Sequence, residues 1–389
     1  MGNNSRLNVD SVPKEVKLLL EFLKKEDFDK FSEKWSEINW ELFLKLVIHH
    51  RVYPVLAPKL KKVASTFIPE RIYQVIDRLY RENTFRMLTL SAEMESLNQQ
   101  LTEQQVRLLF LKGPFLGTEL YGDLSLRTSG DLDVMISLHD LDKVDKFLVD
   151  QGYEKDDYIQ TVLSDWKWRH HHFTYFHPKR NSKLEVHWRL NPGPGKEPSF
   201  DELWNRRKKG LLANCSELGN EDLFLFLVSH GARHGWSRLR WLVDIDQLLQ
   251  KELNWHFLNE LLKKYHYHDI SAQAMILSSQ LLGSCIPQVF QPFTNRKQPT
   301  KLAQEALFYL ERMVNLHSEP IPEEVAAHHK RHLFSLMSVQ QKILFLGSFF
   351  YPYPADAETL PLPKALHFLY FPLRPFLWMW RRTRNHAIS

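Results

Sequence analysis

The stretch that most limits what this chain can fold into runs from Val106 to Ile136. Two apolar runs of strand length are separated there by a glycine turn, a short helix and a loop. Val106 to Leu111 is apolar and ends at Lys112-Gly113, and Pro114 suits the first turn of a helix, where a missing N–H costs nothing. That helix is expected to stop near Gly122. A strand then begins at Asp131, with Leu132, Val134 and Ile136 alternating against Asp131, Asp133 and Met135, so that both carboxylates share one face. Side chains two apart on a strand stand roughly 6.6 Å apart at Cα, and carboxylates on that spacing can converge on one or two divalent ions about 3.5–4 Å apart. An Asp-x-Asp pair is weak evidence alone, since surface strands often carry polar residues at every second position. Here the pair follows Ser129-Gly130 and opens a strand whose other face is apolar, and a third acid, Glu185, comes on a later strand.

Downstream, Ser137 caps a helix expected over Leu138 to Gln151, with Leu141, Val144, Phe147 and Leu148 as its apolar stripe and Gly152 as its end. Lys167 to Leu190 reads as a hairpin: His172 to Phe176, a turn over His177 to Ser182, then Lys183 to Leu190. On the second strand Leu184, Val186 and Trp188 face one way, and Lys183, Glu185, His187 and Arg189 the other. Glu185 stands beside Asp131 and Asp133 if the two strands are neighbours; the alternative is a solvated, charged strand. The run His170-His171-His172, with His177 and His187, invites a zinc site, but consecutive strand residues point to opposite faces. One or two of these imidazoles are expected to line a pocket instead.

Residues 10 to about 105 read as helices, with stripes at Val16, Leu19, Leu20 and Leu23 and at Trp40, Phe43, Leu44, Val47 and Ile48. From Pro69 to Gln105 a long helix carrying Leu79, Phe85, Leu88 and Leu90 delivers the chain to Val106. Asn191 to Pro198 is the clearest linker. A helical region follows from Glu221 to about Leu282, where His230 and His234 share a helical face with Arg233 beside them. That face is either a solvated edge or a basic wall over a triphosphate. His230-x-x-x-His234 lacks the glutamate of a zinc protease. Beyond Pro299 the chain is helical again. Its tail, Leu366 to Trp380 followed by Arg381-Arg382-Thr383-Arg384, is too short and too broken by Pro372, Arg374 and Pro375 to span a bilayer. Docking on the N-terminal helices is preferred for it over contact with an anionic membrane surface. The expected divisions are 1–84 (helical), 85–190 (α/β core), 191–296 (helical, closing the cleft) and 297–389 (helical, with the aromatic and basic tail).

Of 389 residues, 43% are hydrophobic and 25% charged, as in ordinary globular proteins. The formal charge of +5 is small and interleaved, which permits a local anion site and does not argue for a nucleic-acid binder. Two cysteines, Cys215 and Cys285, give no disulfide framework and no cysteine-based zinc motif, so a reducing cytoplasm fits best. Met1 to Arg6 has no apolar segment behind it and is not a signal peptide, and Gly2 with Ser5 and Arg6 resembles a myristoylation signal only loosely.

At Lys112-Gly113, Arg127-x-x-Gly130-Asp131-x-Asp133 and Leu184-Glu185-Val186-His187-Trp188 the chain resembles the uncharacterised nucleotidyltransferase family of the DNA polymerase β superfamily. The likeness covers about residues 85 to 250 and continues through His230-Gly231-Ala232-Arg233-His234, Trp236 to Trp241 and Asp244. It implies an α+β fold, a small mixed sheet flanked by N-terminal and C-terminal helical regions. It further implies that Asp131, Asp133 and Glu185 hold two Mg²⁺ ions while a nucleoside monophosphate passes from a nucleoside triphosphate such as ATP to a hydroxyl or phosphate on a small molecule or peptide, releasing pyrophosphate. Glu185 would take the acceptor proton. Lys112, Gly113, Arg127, Ser129, Gly130, His187, His230, Arg233, His234 and Arg238 are the expected nucleotide contacts. The wider superfamily has Gly-Ser in its turn, where this chain has Lys112-Gly113-Pro114. Two rival readings are a phosphoryl or glycosyl transferase on the same scaffold and an idle binding module, the latter disfavoured by the three acids.

Overall fold

The structure is a computed structural model and describes residues 6–24, 37–62, 67–211, 215–316 and 320–386. Gly2, Ser5 and the side chain of Arg384 lie outside the described residues.

A 34-residue helix, Glu70–Glu103, brings the chain to the sheet. Its buried stripe runs through Asn83, Met87, Leu90, Met94, Leu97 and Leu101, alternating steps of four and three. Phe85 and Leu88 lie on this helix as expected but fall between those positions, and at 73% and 51% exposed they are turned to solvent by helical phase. Next come β1 (Leu108–Lys112), the helix Phe115–Tyr121 and β2 (Leu132–Ile136). Gly113, at φ 146°, makes the turn out of β1, and Gly122, at φ 76°, ends the helix. The helix Leu141–Asp150 buries Leu141, Val144, Phe147 and Leu148 as its pattern requires. β3 (Glu154–Lys155) is short, β4 (His172–His177) and β5 (Ser182–His187) form the expected hairpin, and β6 (Lys208–Lys209) and β7 (Ser216–Glu217) complete the set.

These strands make one mixed sheet in the order β3-β4-β5-β2-β1-β7-β6. β2 is therefore central. It runs antiparallel to β1 and parallel to β5, and all five of its residues are buried. The apolar side of β2 and β5, with Val134, Leu184 and Val186, packs into the core. The other side is covered as well, because the helices Asn220–Arg233 and Leu239–Leu249 supply lining residues over it. A sheet with helices before and after it matches the α+β architecture expected from sequence.

The tail does not dock on the N-terminal helices. Its helix, Tyr370–His386, packs chiefly on Pro354–Thr359 and on the turn Lys364–Leu369. The reason is a buried carboxylate: Asp356 is fully enclosed and accepts from Arg374 (2.6 Å) and Arg381 (2.7 Å), while Tyr370 donates to the Leu360 carbonyl (2.8 Å). Among the described residues no helix is long and apolar enough to cross a membrane.

Glu217 on β7 is 1% exposed, and its Oε2 has no hydrogen-bond partner. Burial pushes this carboxyl up to about 8 against the opposing pull of Lys208, whereas an unfolded glutamate titrates near about 4.3. Between those values the folded state keeps a proton that the unfolded chain has released, so this group lowers stability as pH rises, by up to about 1.4 kcal/mol per pH unit. Glu217→Gln is expected to raise the melting temperature clearly at about pH 8 and hardly at about pH 5. Equal shifts at both would show that the carboxyl is not protonated in the fold.

Candidate active site

Asp133 lies in the middle of β2, directly across the parallel ladder from Glu185 on β5. A bulge between Phe110 and Lys112 gives β1 an extra residue and sets Lys112, rather than Leu111 alone, opposite Asp133. Paired residues project to the same side of a sheet, as do residues two apart on one strand. Lys112, Asp133, Glu185 and His187 therefore meet. The Lys112 ammonium is 2.7 Å from Asp133 Oδ1 and 3.8 Å from Asp131 Oδ2. His187 Nε2 is 3.1 Å from Asp133 Oδ1 and 3.7 Å from Glu185 Oε2, and Lys183 holds Glu185 Oε1 at 2.7 Å. The conditional expectation that Glu185 joins the Asp pair is thus met in space.

The electrostatics of this cluster follow from burial and crowding. Burial opposes the charge on Lys112, yet Asp131, Asp133 and Glu185 hold its pKa above the ordinary lysine value. Burial favours a protonated Glu185, but Lys112 and His187 keep it far below the usual carboxylate range. Asp131 is likewise lowered, with Lys112 overcoming burial. Asp133 goes the other way: burial, helped by Asp131 and Glu185 and resisted by Lys112, pushes it up to about 6. Its Oδ2 is buried without a partner, the one carboxylate oxygen of the cluster left so. A buried acceptor in that state is costly, and a divalent cation held by Asp133 and Glu185 would satisfy it.

Among the described residues two sets of three donors each bring their ligand atoms within 4.8 Å of one another: Asp133, Glu185 and His187, and His171, His172 and His187. Asp131 lines the cavity but belongs to neither set. The second set corrects the reasoning against a histidine cluster. His171 precedes β4, so the strand alternation does not govern it, and its Nε2 comes within 3.1 Å of His172 Nδ1. Burial and the neighbouring His187 lower both imidazoles, His172 to about 3, so both are neutral near pH 7.

The cluster forms the floor of a cavity of about 550 Å³. Its opposite wall is cationic and aromatic. Phe226, His230, Arg233 and His234 come from the helix Asn220–Arg233 and its cap, Arg238, Arg240 and Trp241 from the start of Leu239–Leu249, and Arg51 from the turn after the helix Trp40–His49. Gly231 makes this wall possible, since a Cβ there would stand 2.3 Å from the ring of Trp236, which is fully buried beneath it. The three inner guanidinium groups bond neutral partners: Arg233 reaches His171 (3.3 Å), Arg238 reaches Asn315 (3.0 Å) and His49, and Arg240 reaches the Thr128 carbonyl. Among the described residues none of the three is paired with a carboxylate, and Nε of Arg233 and of Arg240 is buried without a partner. Burial, with Arg127 and Arg51 close by, pulls Arg240 down to about 9; burial and Arg51 pull Arg238 to about 10. Crowded cations of this kind are relieved by an anion.

Of the sequence-derived positions, Lys112, Gly130, Asp131, Asp133, Glu185, His187, His230, Arg233, His234 and Arg238 line this cavity. Gly113, Arg127 and Ser129 do not. Arg127 is 3% exposed, with Nε and Nη2 bonded to both oxygens of Asp244 at 2.9–3.2 Å, and Asp244 also accepts from Tyr121 at 2.8 Å. It is a buried clamp between the Leu124–Leu126 turn and the helix Leu239–Leu249, outside the lining of the cavity. Ser129 donates to the Asp131 carbonyl at 2.9 Å and so shapes the entry to β2. Sequence reasoning did not select Arg51, Lys183, Phe226, Arg240 or Trp241. Arg240 and Trp241 lay inside a block already recognised as specific. Arg51 gave no signal, as its reach depends on a left-handed backbone (φ 55°) and on the His50 carbonyl accepting from the Arg240 amide at 3.3 Å.

A family model described as an uncharacterised nucleotidyltransferase matches residues 36–283. The match is wider at both ends than the stretch 85–250 and takes in every residue of the cavity wall, Arg51 included. No curated protein and no solved structure matches the chain.

Proposed function

Because this chain belongs to the uncharacterised nucleotidyltransferase family, matched over residues 36–283, we propose that it transfers a nucleoside monophosphate from a nucleoside triphosphate to an acceptor hydroxyl or phosphate, with Mg²⁺ as its cofactor. The observation that carries this reading is the opposition of two surfaces in one cavity: a carboxylate floor with an unsatisfied Asp133 oxygen, and a guanidinium wall whose Arg233, Arg238 and Arg240 make no direct carboxylate pair among the described residues. Asp131, Asp133 and Glu185 would hold the metal, which supplies charge stabilisation at the α-phosphate and at the departing pyrophosphate.

The chain's own groups do the rest. Arg51, Arg233 and Arg240 bind and orient the phosphates through forked donors, and Arg238 adds charge behind them. Glu185, held as a carboxylate, accepts the proton of the attacking hydroxyl. His171 and His172, neutral, accept hydrogen bonds rather than add charge. Arg233 also borders a second cavity of about 340 Å³ that is lined by Tyr267, Ile270, Leu336 and Phe345, and this is the acceptor side in the present reading. Its apolar lining suits an acceptor with a hydrophobic group, small molecule or peptide.

Calorimetric titration of each nucleoside triphosphate, with and without Mg²⁺, tests the proposal on the wild type and on Asp131→Asn/Asp133→Asn. Binding that needs Mg²⁺ and vanishes in the variant is the expected result. Binding without metal dependence would take Mg²⁺ out of the proposal, and γ-phosphate transfer in place of pyrophosphate release, read in a separate turnover assay, would move the assignment to a phosphoryl transferase. No binding of any nucleotide would end it.

A further inference from the structure

Fourteen of the twenty-five exposed large hydrophobic side chains among the described residues lie within residues 339–380. The helix Val339–Ser348 buries none of its residues and leaves Val339 75% and Ile343 65% exposed. On the helix Tyr370–His386, Phe376, Trp378 and Trp380 are 68%, 52% and 61% exposed. The two helices meet, since Arg374 donates to the Phe349 carbonyl and the Tyr351 ring stands 5.2 Å from that of Phe371. The contacts are made by Phe349 and Tyr351, just past the end of the first helix, and bring its exposed apolar side chains into the neighbourhood of those on the second; exposed apolar side chains gathered in this way mark an interaction surface.

Charge decides what covers it. Residues 339–384 contain Lys342, Lys364, Arg374, Arg381, Arg382 and Arg384 but only two acids, Asp356 and Glu358, in a chain whose totals are 51 basic and 46 acidic residues. Asp356 is enclosed between Arg374 and Arg381, which leaves Glu358 as the exposed carboxylate of the region. Arg382 extends over the Trp378 ring at 5.3 Å, placing a guanidinium at the border of the aromatic surface. In a two-fold contact between copies this face would meet itself and set like charges together. An anionic surface complements it. Tryptophan and phenylalanine beside arginine and lysine are the side chains that settle at the level of lipid headgroups.

We infer that the face formed by the helices Val339–Ser348 and Tyr370–His386 binds the surface of an anionic lipid bilayer without crossing it. The test is flotation of the full chain with vesicles of phosphatidylcholine alone and of phosphatidylcholine mixed equally with phosphatidylserine. The chain is expected to float with the mixed vesicles, to release in high salt, and to remain at the bottom with phosphatidylcholine alone. Trp378→Ala/Trp380→Ala should abolish flotation with an unchanged melting temperature, because both side chains are exposed. Arg382→Ala should weaken it about fivefold. No flotation on either vesicle, equal flotation on both, or undiminished flotation of the double variant would overturn the inference. A dimer by light scattering that the same double variant dissociates, with no flotation, would assign the face to a second copy instead.

Discussion

If the proposed nucleotidyl transfer holds, Asp133→Asn should lower pyrophosphate release by about 10³-fold, the rate equivalent of about 4 kcal/mol, since it would remove a charge assigned to the metal at constant volume. The substitution removes the charge with little change of shape. Asp133 is fully buried, and an amide in its place keeps an oxygen for the Lys112 ammonium and fills the same space. Its new N–H₂ would stand where the unpartnered Oδ2 now is, at a cost of about 1–3 kcal/mol, which a thermal melt on the same sample would register. A coupled pyrophosphate assay across a Mg²⁺ titration reads the effect. Wild-type release from a folded Asp133→Asn protein would remove this carboxylate from the reaction. The ion itself must compete with a proton here: with the Asp133 carboxyl at about 6, metal affinity should fall about tenfold per pH unit below that value and level off above it.

A second large effect concerns stability. Arg127→Ala leaves the Asp244 carboxylate buried without its cation, and breaking such a pair costs about 3–5 kcal/mol. Arg127→Met/Asp244→Leu removes both charges at similar volume and should recover most of that loss, short of the hydrogen bond that Tyr121 gives to Asp244. Denaturant unfolding of the wild type and of both variants reads the two effects. If Arg127→Ala instead unfolds like the wild type and loses nucleotide binding, the residue contacts substrate and the clamp assignment fails.

The local segments were readable because their signals are local. The glycine turn at Gly113, the Ser137 and Gly152 boundaries, the β4–β5 hairpin and the long helix before β1 each follow from a few adjacent residues. The meeting of Asp133 and Glu185 was readable only as a condition, because it needs β2 and β5 to pair in parallel across about fifty residues of intervening chain, and strand order has no local signature. Arg127 shows the reverse failure. Its place beside Gly130 and Asp131 suggests a ligand contact, yet the group that engages it, Asp244, is recognisable only once the helix Leu239–Leu249 has been laid against the sheet. Phe85 and Leu88 are apolar and on the expected helix but out of phase with the buried stripe, and identity without phase does not say which face they take. Arg51 reaches the cavity through tertiary contacts that no spacing announces.

The central position of β2 has a consequence for how such a protein would lose its activity on warming. Amides flanked by paired strands on both sides and covered on both faces exchange with solvent only in global opening, whereas turns held by a few bonds open first. The backbone around Asp133 belongs to the former class, and the Arg51 turn, tied to residues 238–240 by a few bonds from Arg238, Leu239 and Arg240 to His49 and His50, belongs to the latter. Heating should therefore slacken the cationic wall while the carboxylate floor is still intact, so that under the proposed function substrate affinity would decline over a range of temperature in which the metal would still be held.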